Sequence, residues 1–242
     1  MVKGRKLFIG LTLVAALGFS LISCEGVTGF FSSSWGEGLK RDPANLMGDV
    51  KPSNVKEMVS TFAGDSEASK ALLKKIVDAA ANATGQDKAD LQSAGLTAAV
   101  NASGLGTTIL SSAGAFLNDD DDDETQRDKL TDVLNDLPDV QDIAGDIGTL
   151  FQSRPMGDIY PNIDENAGND LVMAAVICLL GDYQGQEGEG LEKYMDQFAS
   201  KVQENTVDSF NPKQKTAYYL LKTAKNVKTG EVLGEVLNEL NF

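Results

Sequence analysis

The stretch LVMAAVICLL, residues 171–180, decides how this chain folds. Ten successive residues are apolar, Cys178 among them. A helix at a protein surface needs only one apolar stripe. A run that is apolar on every side suits a helix surrounded by other helices. Such a thiol sits among hydrocarbon, where the thiolate is disfavoured, and reads as an inert core residue.

Outward from this segment the hydrophobic period is helical almost everywhere from Ser53 on. Val55, Met58, Val59 and Phe62 fall at i, i+3, i+4 and i+7, the spacing of one helical face. Leu72, Leu73, Ile76, Val77 and Ala80 repeat the pattern after an acidic start at Asp65 and Glu67. Leu130, Val133, Leu134 and Leu137 follow, then Val140, Ile143, Ala144, Ile147 and Leu150. Leu191, Tyr194, Met195, Phe198 and Val202 make a further stripe, and Val232, Leu233, Val236, Leu237 and Leu240 the last. Asn211-Pro212 reads as a cap followed by proline at the first helical position, and Gly64, Gly85 and Gly181 as helix exits. The alternation that would mark strands is missing. The expected fold is all-α, a helical bundle or stacked helical hairpins of about eight to ten helices, with no sheet.

A second uncharged segment runs from Leu91 to Asn118. Ala94, Ala98, Ala102 and Gly106 recur every four residues, with Gly95, Ala99, Ser103 and Thr107 beside them. Rows of small residues let another helix backbone come close. Ser, Thr, Asn and Gly make the segment costly in hydrocarbon, and Ser103-Gly104 reads as a break. A tightly packed hairpin in the core is therefore preferred to a membrane span.

Asn118 is followed by six acids, Asp119 to Glu124. A calcium loop spaces its carboxylates and turns on a glycine. This run does neither, and reads as a solvated entry to a helix near Gln126. Asp128, Asp132 and Asp136, then Asp139, Asp142 and Asp146, form acidic ridges expected to face solvent. GDYQGQEGEG, residues 181–190, lacks the strand and the Lys-Ser/Thr ending of a phosphate loop and reads as a turn between helices.

The N-terminus carries an address. Lys3, Arg5 and Lys6 precede the uncharged run LFIGLTLVAALGFSLIS, residues 7–23, in the order of a secretory signal peptide. Leu21-Ile22-Ser23-Cys24 resembles the lipobox of bacterial lipoproteins. The resemblance implies that residues 1–23 are removed and that Cys24 becomes an acylated N-terminus. One acyl chain anchors marginally, whereas two or more hold firmly at about 0.8 kcal/mol per buried CH₂. Residues 24–52 then read as a tether, with a reach of about 30 Å if it behaves as a flexible coil. Phe30, Phe31 and Trp35 within it are read as local packing of a loose arm. Residues 53–242 form the helical body.

Composition narrows the function further. The chain has 21 basic and 36 acidic residues, a formal charge of −15, and no histidine. Cleavage before Cys24 removes three of the basic residues and none of the acidic ones. So acidic a chain gains nothing from counterion release at a phosphate backbone, and nucleic acid is excluded as the expected partner. Without histidine there is no Ser-His or Cys-His pair, no histidine base and no histidine-based zinc site. Neither catalytic residues nor a cofactor or metal site is nominated, and the chain is expected not to be an enzyme. A hydrolase built on carboxylates alone would need two acids facing one another across a cleft.

The layout also resembles helical lipoproteins that accompany periplasmic solute transporters, particularly in spirochaetes. The features that carry the resemblance are Cys24, the small-residue segment ending in Ala113-Gly114-Ala115-Phe116-Leu117, the acids 119–124 and the later helix pairs. It implies a protein anchored in the bacterial cell membrane or outer membrane, facing the periplasm or the exterior. Its body would be a helical binding or scaffolding module, accessory to solute transport, with a transporter or solute-binding subunit as protein partner. The alternative is a structural or surface-exposed lipoprotein without a ligand.

Overall fold

The structure is a computed structural model, and it describes residues 47–105, 139–152, 159–186, 190–204 and 206–229. Seven α-helices and one 3₁₀ turn make up the secondary structure of these residues, and none of them lies in a strand. The fold is all-α. Helix α1 spans Val55–Phe62, α2 Ser66–Ala81 and α3 Gly85–Ser103. Then come α4 at Gln141–Leu150, α5 at Gly168–Tyr183, α6 at Leu191–Gln203 and α7 at Pro212–Ala224. Among the described residues no helix is long and apolar enough to cross a membrane.

Helix α5 holds the apolar run and lies at the centre. Leu171 through Gly181 are buried without a gap, and helices α3, α4, α6 and α7 all pack on it. Burial pushes the Cys178 thiol up to about 12, so it stays protonated and unreactive. Helices α5 and α7 run antiparallel. At one end Lys213 Nζ donates to the Gly181 carbonyl at 2.9 Å; at the other the Lys228 amide donates to the Glu165 carbonyl at 2.9 Å. Helices α2 and α3 form a hairpin laid against α4, and α1 closes over both.

Each stripe read from the sequence within these helices is turned inward. Ile143, Ala144, Ile147 and Leu150 of α4 are buried, as are Leu191, Tyr194, Met195, Phe198 and Val202 of α6. Asp65 caps α2 by accepting from the Ala68 amide at 2.9 Å. Asn211 forms a reciprocal capping box with Gln214 ahead of Pro212, which satisfies two donors that the first turn of α7 would leave open. The break at Ser103-Gly104 is present, with Gly104 ending α3 at φ +65°, a conformation that a β-carbon disfavours. The stripes at Leu130–Leu137 and Val232–Leu240, and the segment beyond Leu105, lie outside the described residues.

Three expectations need correction. Neither Gly181 nor Gly85 is a helix exit, because α5 continues to Tyr183 and Gly85 is the first residue of α3. A β-carbon at 181 would lie 2.5 Å from Ala144 Cβ and 3.1 Å from the Val140 carbonyl oxygen. Glycine is there so that α4 can lie on α5. Next, of the acids of α4 Asp142 faces solvent as expected but Asp146 does not. Asp142 pairs with Lys70 of α2 at 3.1 Å, while Asp146 is half-buried with Oδ2 closed off from water. Lastly, Met47, within the stretch read as tether, is buried, and its carbonyl accepts from Lys75 Nζ at 3.0 Å. Met47 is thus packed on the body ahead of α1.

The small-residue row of α3 acts as foreseen. A β-carbon at Gly95 would overlap Leu150 Cδ2 and stand 3.3 Å from Ile76 Cγ2, so this glycine sits where α2, α3 and α4 meet. Polar side chains tie the helix ends together around it. Gln92 Nε2 donates to the Leu150 carbonyl at 3.0 Å, and Ser66 Oγ to the Ala102 carbonyl at 2.7 Å. The Val140 amide donates to Gln184 Oε1 at 3.0 Å. These bonds satisfy carbonyls and amides that helix termini leave without intrahelical partners.

Candidate functional groove between α4 and α7

Helices α4 and α7 pack on one another and line a cleft of about 540 Å³ between them. Helix α4 contributes Gly145, Gly148 and Thr149, with Gln152 just past its end. Helix α7 contributes Pro212, Lys215, Thr216 and Tyr219. Both sets fall at i, i+3, i+4 and i+7, so each helix offers one complete face to the cleft. The glycines set its width: a β-carbon at 145 or at 148 would meet nothing within 4 Å.

The floor is aromatic and firmly held. Phe151 and Tyr160 are buried and meet edge to face, with ring centroids 4.7 Å apart. The Tyr160 hydroxyl donates to the Phe151 carbonyl at 2.9 Å, and the Tyr160 amide donates to Thr223 Oγ1 at 3.0 Å. Burial raises the Tyr160 phenol well above its ordinary value, so it remains a neutral donor. Three charged side chains line the cleft, namely Asp208, Lys213 and Lys215. In a chain of formal charge −15 this surface therefore carries one more positive than negative group.

A polar network fastens the start of α7 beside this groove. Asp182 accepts from the Tyr194 hydroxyl at 2.7 Å, from Gln186 Nε2 at 2.9 Å and from Asn211 Nδ2 at 2.9 and 3.0 Å. Gln214 Nε2 reaches the Tyr194 hydroxyl at 3.3 Å. Loss of water, and then the bond to Asp182, hold the Tyr194 phenol protonated far above the usual range. One carboxylate thus joins the end of α5 to α6 and α7.

A smaller cavity of about 290 Å³ lies at the opposite end of α5, between α1, α3 and the loop that enters α5. It brings Asp164 and Asp170 into one pocket with Lys56. Asp164 accepts from the Asn166 amide at 3.0 Å and faces Lys56 Nζ at 3.5 Å. These contacts, the amide first, hold its carboxyl below the ordinary value. Burial raises the Asp170 carboxyl, partly offset by the Thr97 hydroxyl that donates to it at 2.5 Å.

Cys24 and the acids Asp119 to Glu124 lie outside the described residues. Among those described, no group of three or more His, Cys, Asp or Glu is placed to hold a metal ion. The groove and the Asp182 network were not foreseen from the sequence. A signal for the groove was present: Gly145, Gly148 and Thr149 share a face of α4 that is neither apolar nor charged. The chain matches no protein-family model, and neither a curated protein nor a solved structure is significantly similar to it.

Proposed function

We propose that this protein is a lipid-anchored helical binding module of the bacterial envelope, held by an acylated Cys24 and engaging a protein partner through the α4–α7 groove. The anchor rests on the sequence order of basic start, apolar run and Leu21-Ile22-Ser23-Cys24. The observation that carries the binding role is the groove itself. Two complete helical faces, widened by glycines, flank an aromatic floor in which the Tyr160 hydroxyl is tied to the Phe151 carbonyl. Cavities of roughly 300–1,000 Å³ with apolar floors and few polar groups are the usual form of binding sites. A cleft between two helices suits a third helix or an extended apolar segment. The excess lysine favours a neutral or acidic partner, and the tether gives the body reach from the membrane.

Binding is preferred to catalysis because the groove holds one carboxylate, Asp208, and no facing pair. The partner in this reading is a transporter or solute-binding subunit, and the role is accessory to solute transport. With the stripes at Leu130–Leu137 and Val232–Leu240 counted, the body has eight to ten helices.

The test is crosslinking in native cells, detergent capture and mass spectrometry, with the wild type beside Gly148→Leu. Leucine is a better helix former than glycine by nearly 1 kcal/mol and has open space at 148, so the variant folds while its side chain fills the groove. The wild type should enrich a membrane or solute-binding subunit, and the variant should lose it. Equal recovery by both proteins would refute the groove as the contact. Separately, Cys24→Ala should move the protein from the membrane fraction to the soluble one; full retention would refute the acyl anchor.

A further inference from the structure

Charge is not spread evenly along this chain. Acidic residues outnumber basic ones 36 to 21, yet residues 209–229, which hold α7 and the turn after it, carry five lysines and no acid. Two of the five fasten α7 to α5 and its entry loop: Lys213 donates to the Gly181 carbonyl, and Lys228 pairs with Glu165 at 2.9 Å. Lys215 and Lys222 stand on another side of the helix. They are seven residues apart and so share one line along α7, separated by about 10 Å of helix rise. Both are partly exposed, and Tyr219, which lines the groove with Lys215, lies between them on the same side. The Lys222 ammonium stands 5.6 Å from the centre of the Tyr218 ring, a contact that favours its place on this rim.

The α4 wall of the groove differs. Gly145, Gly148, Thr149 and Gln152 bring no charge. Asp142 and Asp146 lie on the flank nearer α2, with Lys70 and Lys74 as their charged neighbours. Among the described residues Asp208 is the one acid lining the cleft, ahead of the start of α7. One wall is thus basic along its rim, the other is uncharged, and the floor is aromatic. Taking the groove as a binding surface, on which this reading rests, we propose that its occupant is an acidic amphipathic helix. Its apolar face lies on Phe151, Tyr160 and Tyr219, and carboxylates two turns apart on its flank meet Lys215 and Lys222. Apolar contact supplies the docking, and the matched charges fix the orientation and reject a basic helix.

The experiment is fluorescence anisotropy on the full-length, detergent-solubilised protein with two labelled peptides of about 18 residues, the length of five helical turns. Both have one leucine-rich helical face; one carries glutamates at i and i+7 on its flank, and its twin carries lysines there. The glutamate peptide should bind saturably and at least ten-fold more tightly than the twin, by a margin that shrinks as salt is added. Lys215→Glu combined with Lys222→Glu should reverse the preference, Lys215→Arg with Lys222→Arg should keep it, and Gly148→Leu should weaken binding of the glutamate peptide ten-fold or more. Equal affinity for the twins, a preference that survives the double glutamate variant, or binding of neither peptide would each overturn the proposal. Equal binding of the twins that Gly148→Leu abolishes would leave the groove standing as a binding surface and remove only the acidic partner. Co-flotation of Cys24→Ala protein with phosphatidylglycerol vesicles, lost in the double glutamate variant and without a preference between the peptides, would assign the rim to the membrane and overturn the proposal as well.

Discussion

The contact between α4 and α5 makes the sharpest prediction, through Gly181→Ala. In an open helical position this change stabilises by nearly 1 kcal/mol, because glycine loses more backbone freedom on folding. At 181 the new methyl would meet Ala144 Cβ at 2.5 Å, the Val140 carbonyl oxygen at 3.1 Å and Gln141 Cα at 3.3 Å. None of these atoms is the end of a flexible side chain, so α4 must move away from α5 as a body. That puts the packing cost near the top of the roughly 1–3 kcal/mol seen for overpacked cores. Offset by the helix term, the net loss is about 1–2 kcal/mol, or about 3–6 °C in Tm for a chain of this size. Gly145→Ala is the control, since a β-carbon there meets nothing within 4 Å, and it should leave Tm unchanged or raise it. Thermal melts followed by circular dichroism at 222 nm would compare the two. A Tm for Gly181→Ala at or above that of Gly145→Ala would refute the close approach of these helices.

Other consequences are equally direct. Cys178 is wholly buried, so a thiol reagent should find no reactive group in the folded protein and one per chain after unfolding, provided Cys24 is acylated; two after unfolding would contradict that acylation. The Cys178 thiol is raised from 9.0 to about 12, so above pH 9 the unfolded chain releases a proton that the native state retains. Stability should therefore be flat from pH 7 to 8.5 and fall by up to about 1.4 kcal/mol per pH unit above 9. The buried phenols of Tyr160 and Tyr194 add to the loss with the same sign above pH 10. Urea midpoints that stay level from pH 8 to 10.5 would contradict it. Asn211→Ala removes the cap of α7 and two hydrogen bonds to Asp182, and should cost about 2 kcal/mol in urea unfolding. A loss below 0.5 kcal/mol would show that water replaces the side chain.

What the sequence alone determined are the properties of single segments. Helical period is local, because a side chain's place on a helix depends only on its distance along the chain. The stripes of α1, α2, α4 and α6, the all-round apolar α5, the Asn211-Pro212 start and the Ser103-Gly104 break were therefore legible. Gly181 shows where this legibility stops. A glycine that ends a helix and one that admits a neighbouring helix look alike until Ala144, 37 positions earlier in the chain, is seen against it. Asp146 was read as solvated along with the other acids, yet it stands i+3 from Ile143 on the flank of the apolar stripe, within reach of Lys70 and Lys74 of α2. The groove between α4 and α7, the carboxylate that ties α5 to α6 and α7, and the pocket around Asp170 unite residues tens of positions apart. Only tertiary packing could decide them, because an interhelical site depends on which faces meet and at what distance, and no spacing within one helix carries that information.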